Sequence, residues 1–219
     1  MDNPNFEKDG RIAWLVCCSA ILSNAMIIGI DAGFGEIIGS IMKDFDEAEG
    51  RVAWIGSIHS SLSYVGAFAG SLLVKRYGFG LVTFVGGLVG TLSFATAYFC
   101  PNVECLVSTY GILSGAGLGL AFFSANIVCS FYFEERRIIA LTLVSSGAGI
   151  GIACNSFLLK IVNSSYGWKG SMLFCTASIP STWLLALLLL KFPSHDGQGE
   201  ASQHEVNILY IYTLTYVHL

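Results

Sequence analysis

Long apolar blocks alternate along this chain with short charged or turn-forming ones. The blocks run from Ile12 to about Met42, Val52 to Val74, Leu81 to Phe99, Leu106 to about Phe131, Ile138 to Val162 and Gly170 to Leu190. A helix rising about 1.5 Å per residue needs about 20 residues to cross the hydrocarbon of a bilayer, so the pattern predicts six membrane helices. The first block is too long for one straight span. Gly29, Gly33, Gly35 and Gly39 fall in its second half with Asp31 and Glu36 among them, which predicts a bend that faces protein or water rather than lipid. Glycines four apart recur at Gly66/Gly70 and Gly86/Gly90, and the hexapeptide S-G-A-G-x-G occurs at Ser114 to Gly119 and again at Ser146 to Gly151. These runs lie inside apolar blocks and follow no strand, so they read as close helix packing rather than as a phosphate cradle.

Composition sharpens the picture. The chain is 54% hydrophobic and 12% charged, with a mean hydropathy of +0.67, where a soluble domain carries about 25% charged residues. An all-α integral membrane protein is expected: residues 1–11 as an N-terminal segment, 12–191 as a six-helix bundle, and 192–219 as a tail. The tail is a polar linker followed by VNILYIYTLTYVHL, which is too short to span. The first apolar run exceeds the about 7–15 residues of a cleavable leader, so the first helix is expected to be retained. A net charge of -4 with no basic face excludes nucleic-acid binding. No nucleophile motif and no His/Cys metal spacing is present, so the sequence points away from an enzyme and calls for no cofactor or metal.

Seven cysteines do not make a disulfide framework. Cys17, Cys18, Cys129, Cys154 and Cys175 fall in apolar blocks and behave as small apolar residues. Cys100 and Cys105 flank the short loop CPNVEC, expected on the outer side, as a disulfide across the loop or, the favoured reading, as two free thiols at helix ends.

An even number of spans puts both ends of the chain on one side. That side carries Lys8, Arg11, Lys75, Arg76, Arg136, Arg137 and Lys191, against Lys43, Arg51, Lys160 and Lys169 on the other, seven to four. The positive-inside rule then places both termini in the cytoplasm. Asn163-Ser164-Ser165 is a glycosylation acceptor pattern on the outer side, but it abuts a helix end.

Tyr132 to Gly151, YFEERRIIALTLVSSGAGIG, turns from a charged loop straight into an apolar, glycine-lined helix. A charge at the bilayer centre costs roughly 3 kcal/mol on insertion scales, so Arg136 and Arg137 mark a membrane edge. Gly147 and Gly151 share one helix face with the small-xxx-small spacing that lets a neighbouring backbone approach. The stretch resembles a signature of the monocarboxylate transporter family, a branch of the major facilitator superfamily, Y-F-x-K-R-R-x-L-A-x-G-x-A-x-A-G-x-x-x-G. Tyr132, Phe133, Arg136, Arg137, Ala140, Gly147 and Gly151 match it, while Glu135, Ile139, Thr142, Val144 and Ser146 depart. A second signature of that family, [DE]-G-[GS]-[WF]-[GA]-W, is met by Asp9, Gly10, Ala13 and Trp14 and broken by Arg11 and Ile12. Gly70 to Gly80 is similar to the superfamily's loop motif G-x-L-x-D-R-x-G-R-[RK], with Arg76 and Gly78 fitting and Lys75 where an acid is usual.

The resemblance implies the N-terminal half of a carrier, with substrate handled at membrane depth between two six-helix halves. In such carriers a first-helix lysine in a G-I-P-K-S-F-G-like run handles the substrate anion and proton; here the run is Gly29-Ile30-Asp31-Ala32-Gly33-Phe34-Gly35, with Ala32 at the lysine position. Three polar residues are the substrate-binding or coupling candidates. Asn24 lies near mid-membrane, as a substrate contact or an interhelical hydrogen bond. Asp31 is an acid in a span, a functional-site hypothesis by default. His59 falls at a depth compatible with Asp31, so the two form a candidate proton relay, against a packing role for the imidazole. Asn126 and Asn155 read as local hydrogen-bonders near span ends, and Lys160 as snorkelling to the interface.

The expected function is therefore plasma-membrane transport of monocarboxylates or related small organic solutes, with proton symport. The expected partners are the solute, a proton, the lipid bilayer, and a second carrier half or a single-span accessory glycoprotein. The other reading left open is a truncated, non-transporting form that only pairs with a full-length carrier. Asp31 leans the solute weakly toward a cationic, zwitterionic or uncharged one.

Overall fold

The computed structural model describes residues 10–191. Asp9, the remainder of the N-terminal segment and the tail 192–219 lie outside the described residues. The described residues form helices throughout: α1 (Arg11–Gly33), α2 (Gly35–Phe45), α3 (Glu49–Tyr77), α4 (Phe79–Ala97), α5 (Val103–Leu106), a π-helical stretch (Val107–Ser114), α6 (Gly115–Tyr132), α7 (Arg137–Ser178) and α8 (Ser181–Lys191). Together they make six membrane-length passes. The first is α1 with α2, and the fourth is α5, the π-helical stretch and α6. The fifth and sixth share α7, which breaks at Gly167, where φ is 67° and ψ -173°. That left-handed φ favours glycine, which carries no Cβ to clash there.

Three departures from the six blocks have local causes. α1 and α2 meet at a break at Phe34, whose N–H donates to Asp31 O at 3.3 Å in a tightened turn, in the half of the block that the glycine pattern singles out. The sixth pass kinks before α8, because Pro180 has no N–H to donate and the turn is closed instead by Thr182 N–H to Ile179 O (2.8 Å) and Trp183 N–H to Pro180 O (2.9 Å). Cys100 and Cys105 are joined by a disulfide, Cα atoms 5.5 Å apart, which corrects the free-thiol expectation. Two cysteines that flank a short turn lie within bridging distance.

Four helical stretches among the described residues, Arg11–Gly33, Phe79–Ala97, Val103–Tyr132 and Arg137–Leu190, are long and apolar enough to cross a membrane. α3 is more polar because Ser57, His59, Ser60, Ser61, Ser63 and Tyr64 crowd its first half. Leu15, Val65, Leu92, Ile138, Ile150 and Phe157 are exposed around the bundle, as a lipid-facing surface requires. Trp54 and Tyr166, exposed near the end that carries the disulfide loop, have the amphipathic rings that gather at a membrane interface.

Glycine sets the spacing of the bundle. α1 and α7 pack in parallel: a Cβ on Gly147 would lie 2.8 Å from Ile21 Cγ2, and one on Gly151 only 2.5 Å from Ala25 Cα. Likewise a Cβ on Gly66 would lie 2.6 Å from Ala116 O, and one on Gly86 2.6 Å from Gly117 O, so α3 and α4 both lie backbone-close to α6. Both hexapeptides are therefore packing elements.

Candidate functional site

One turn before the break at Phe34, α1 presents Asp31 to α3. Ser60 Oγ donates to Asp31 Oδ1 at 2.7 Å, and His59 Nε2 lies 3.7 Å from the same oxygen. The imidazole is 1% exposed and the Asp31 side chain 34%, so the acid is the accessible member of the pair. The His59 ring packs against the rings of Tyr110, centroids 5.0 Å apart, and Phe94, at 6.5 Å.

The far side of the imidazole is held by the π-helical stretch. Its widened turn brings Tyr110 O to 3.2 Å and Ser114 Oγ to 2.7 Å from His59 Nδ1. Two glycines allow that approach: a Cβ on Gly115 would lie 2.6 Å from His59 O, and one on Gly111 3.2 Å from Ile58 Cγ2. Ser114 donates its hydroxyl hydrogen to Tyr110 O. Tyr110 O can only accept, so with Nδ1–H donating to it a neutral His59 would turn the lone pair of Nε2 toward Asp31. In that tautomer two acceptors face one another, an arrangement that one proton, on Nε2 or on the carboxylate, would satisfy.

Asn24 belongs to a different network. Buried in α1, it donates from Nδ2 to Val144 O at 2.9 Å, and its Oδ1 accepts from Asn126 Nδ2 at 3.3 Å. Asn126 also donates to Phe122 O at 2.9 Å. This amide ladder ties α1, α6 and α7 together, which corrects the reading of Asn126 as purely local. Asn155 likewise reaches across to α1, donating to Ala25 O at 3.4 Å as well as to Gly151 O at 3.1 Å. Lys160 is exposed.

The signature residues meet at the opposite end of the bundle. Gly10 precedes α1; Trp14 packs edge-on against Phe133, centroids 5.1 Å apart. Tyr132 is fully buried, Arg136 caps and Arg137 begins α7, and Gly147 and Gly151 line its contact with α1. Ser60, Tyr110 and Ser114 are the residues that sequence reasoning passed over. Ser114 opens a hexapeptide that was read for its glycines alone. Among the described residues no group of three or more His, Cys, Asp or Glu could hold a metal.

Among the described residues the fold is a six-pass helical bundle with polar groups paired at membrane depth. The profile of the Major Facilitator Superfamily matches residues 14–213, and the chain belongs to that family. Its sequence relatives are monocarboxylate transporters. It is 30% identical over 170 residues to monocarboxylate transporter 14 of Mus musculus, covering 77% of this chain and 33% of the relative. To the Homo sapiens form it is 31% identical over 171 residues, 78% and 33%, and to monocarboxylate transporter 13 of Rattus norvegicus 31% over 169 residues, 77% and 40%. The chain thus spans between 33% and 40% of the length of these relatives. Among solved structures, a peptide transporter, POT, in complex with alafosfalin superposes with a TM-score of 0.70 at 14% identity, covering 94% of this chain and 44% of that one. That likeness shows the fold. The chain is an integral, multi-pass membrane protein of a transporter family.

Proposed function

We propose that residues 12–191 are the N-terminal half of a proton-linked carrier of monocarboxylates or related small organic solutes, in the plasma membrane with both ends cytoplasmic. The observation that carries the proton linkage is the Asp31–His59 pair, 3.7 Å apart, with the imidazole buried and the acid accessible. The names of the sequence relatives support the solute class, and Ala32 at the position of the expected lysine moves proton handling onto this pair. Asn24, with both ends of its amide engaged, is assigned to the frame rather than to the solute.

The test is uptake by a full-length protein containing this region, across about pH 5.5 to 8, normalised to surface protein. A labelled panel of lactate, an amino acid, creatine and a thyroid hormone covers the solute classes. Asp31→Asn keeps the shape and removes the titratable charge, so it should flatten the pH profile, and His59→Gln should alter the same limb. Wild-type profiles in both variants would remove the pair from the mechanism.

A further inference from the structure

Resting on that reading, we propose that Asp31 is the docking point for a protonated primary amine on the solute, and that this ammonium and the proton occupy the site in exchange.

The first step is charge balance. A carboxylate at membrane depth is costly without a positive partner, and among the described residues the ion pair Asp31 makes is with His59. Of the other titratable groups on the surrounding elements, Tyr110 and Cys175 are buried, and Glu36 on α2 and Lys160 on α7 are exposed. Among the described residues the positive charge beside Asp31 is the proton on the pair, and a cationic solute is the alternative that the accessible carboxylate admits. Because the imidazole is sealed in and the acid is not, a solute reaches the carboxylate. A proton on the carboxylate removes the counter-charge an amine needs, and one on Nε2 already pairs with it, so one occupant excludes the other.

The second step is donor and acceptor matching. The Ser60 hydroxyl donates to Asp31, Ser57 to Ala53 O at 3.3 Å, and Ser61 to Ser57 O at 2.7 Å. In these bonds the hydroxyl hydrogens are engaged, so oxygen lone pairs are what this exposed stretch of α3 offers without breaking them. A primary ammonium, with N–H donors and no acceptor, complements such a surface. A carboxylate head group would meet lone pairs, and a trimethylated nitrogen brings charge without N–H.

The experiment uses the full-length protein in detergent at neutral pH with little buffer. Ethanolamine, its trimethylated counterpart choline, and glycolate are added in turn while a pH indicator reads proton release. Ethanolamine is expected to release up to one proton per chain, choline and glycolate at least tenfold less. Asp31→Asn should abolish both the release and the binding of labelled ethanolamine. His59→Gln, which keeps the carboxylate, should still bind labelled ethanolamine with release much reduced. Equal release by glycolate or choline, or ethanolamine binding that survives Asp31→Asn, overturns the proposal. If ethanolamine does nothing while Asp31→Asn still flattens the pH profile of solute uptake, this inference falls and the proton-linked carrier stands. If neither depends on Asp31, both fall.

Discussion

Trp14 at the start of α1 and Phe133 at the end of α6 meet edge to face, at an interplanar angle of 77°. This contact joins the two stretches that resemble family signatures, and it closes the end of the bundle where α7 begins. Trp14→Ala should remove it at a cost on the order of 2 kcal/mol, read as a lower midpoint of thermal unfolding in detergent. Trp14→Phe should recover most of the loss; equal loss in both variants would mean the ring contact is not what matters.

Gly149 and Gly151 supply a matched pair of substitutions on α7. Nothing lies within 4 Å of a Cβ on Gly149, whereas one on Gly151 collides with Ala25. Gly151→Ala should cost about 1–3 kcal/mol by overpacking, with a corresponding fall in folded protein. Gly149→Ala should be neutral or slightly stabilising, since alanine is the better helix former. Similar unfolding midpoints for the two variants would contradict the parallel α1–α7 packing.

Asn24→Leu separates frame from site. Loss of the bonds to Val144 and Asn126 should cost about 1 kcal/mol, the scale of interhelical hydrogen bonds in membranes. Solute uptake per surface molecule should stay within about twofold of wild type. A variant that reaches the surface normally yet transports nothing would return Asn24 to the substrate path.

The Cys100–Cys105 disulfide gives a test of the proposed topology, which puts its loop outside. With Cys18 and Cys154 changed to Ser, a membrane-impermeant maleimide applied outside intact cells should label the protein only after reduction. Glu134→Cys should label only once the cells are opened. Outside labelling at position 134 would invert the proposed topology.

The frame was legible in the sequence because two rules act along a single chain: apolar blocks must match the bilayer, and glycines four apart must pack. The break near Phe34 followed from Asp31, Glu36 and four glycines lying in one over-long block. The far wall of the His59 site did not, since Tyr110 and Ser114 reach the imidazole only through a π-helical stretch that has no periodic signature. Asn126 pairs with Asn24 across two helices, a relationship that spacing along the chain does not encode. The kink at Pro180 was not among the expected elements, because a proline inside an apolar block leaves the length of the block unchanged.

At the end away from Trp14, α2 is fastened to α7. Asn163 Nδ2 donates to Glu36 O at 2.8 Å, and Trp168 Nε1 donates to Asp44 Oδ2 at 2.6 Å. α1 and α2 are thus both bound to the fifth pass, α1 through the close approach of Gly147 and Gly151 and α2 through Asn163, while Trp168 ties α2 to the start of the sixth. Between the two pieces, Phe34 is wedged between Gly56 and the Tyr110 ring. The break in the first pass is held from both sides, and it shares with the Asp31–His59 pair a single wall, the Tyr110 ring that also packs on His59.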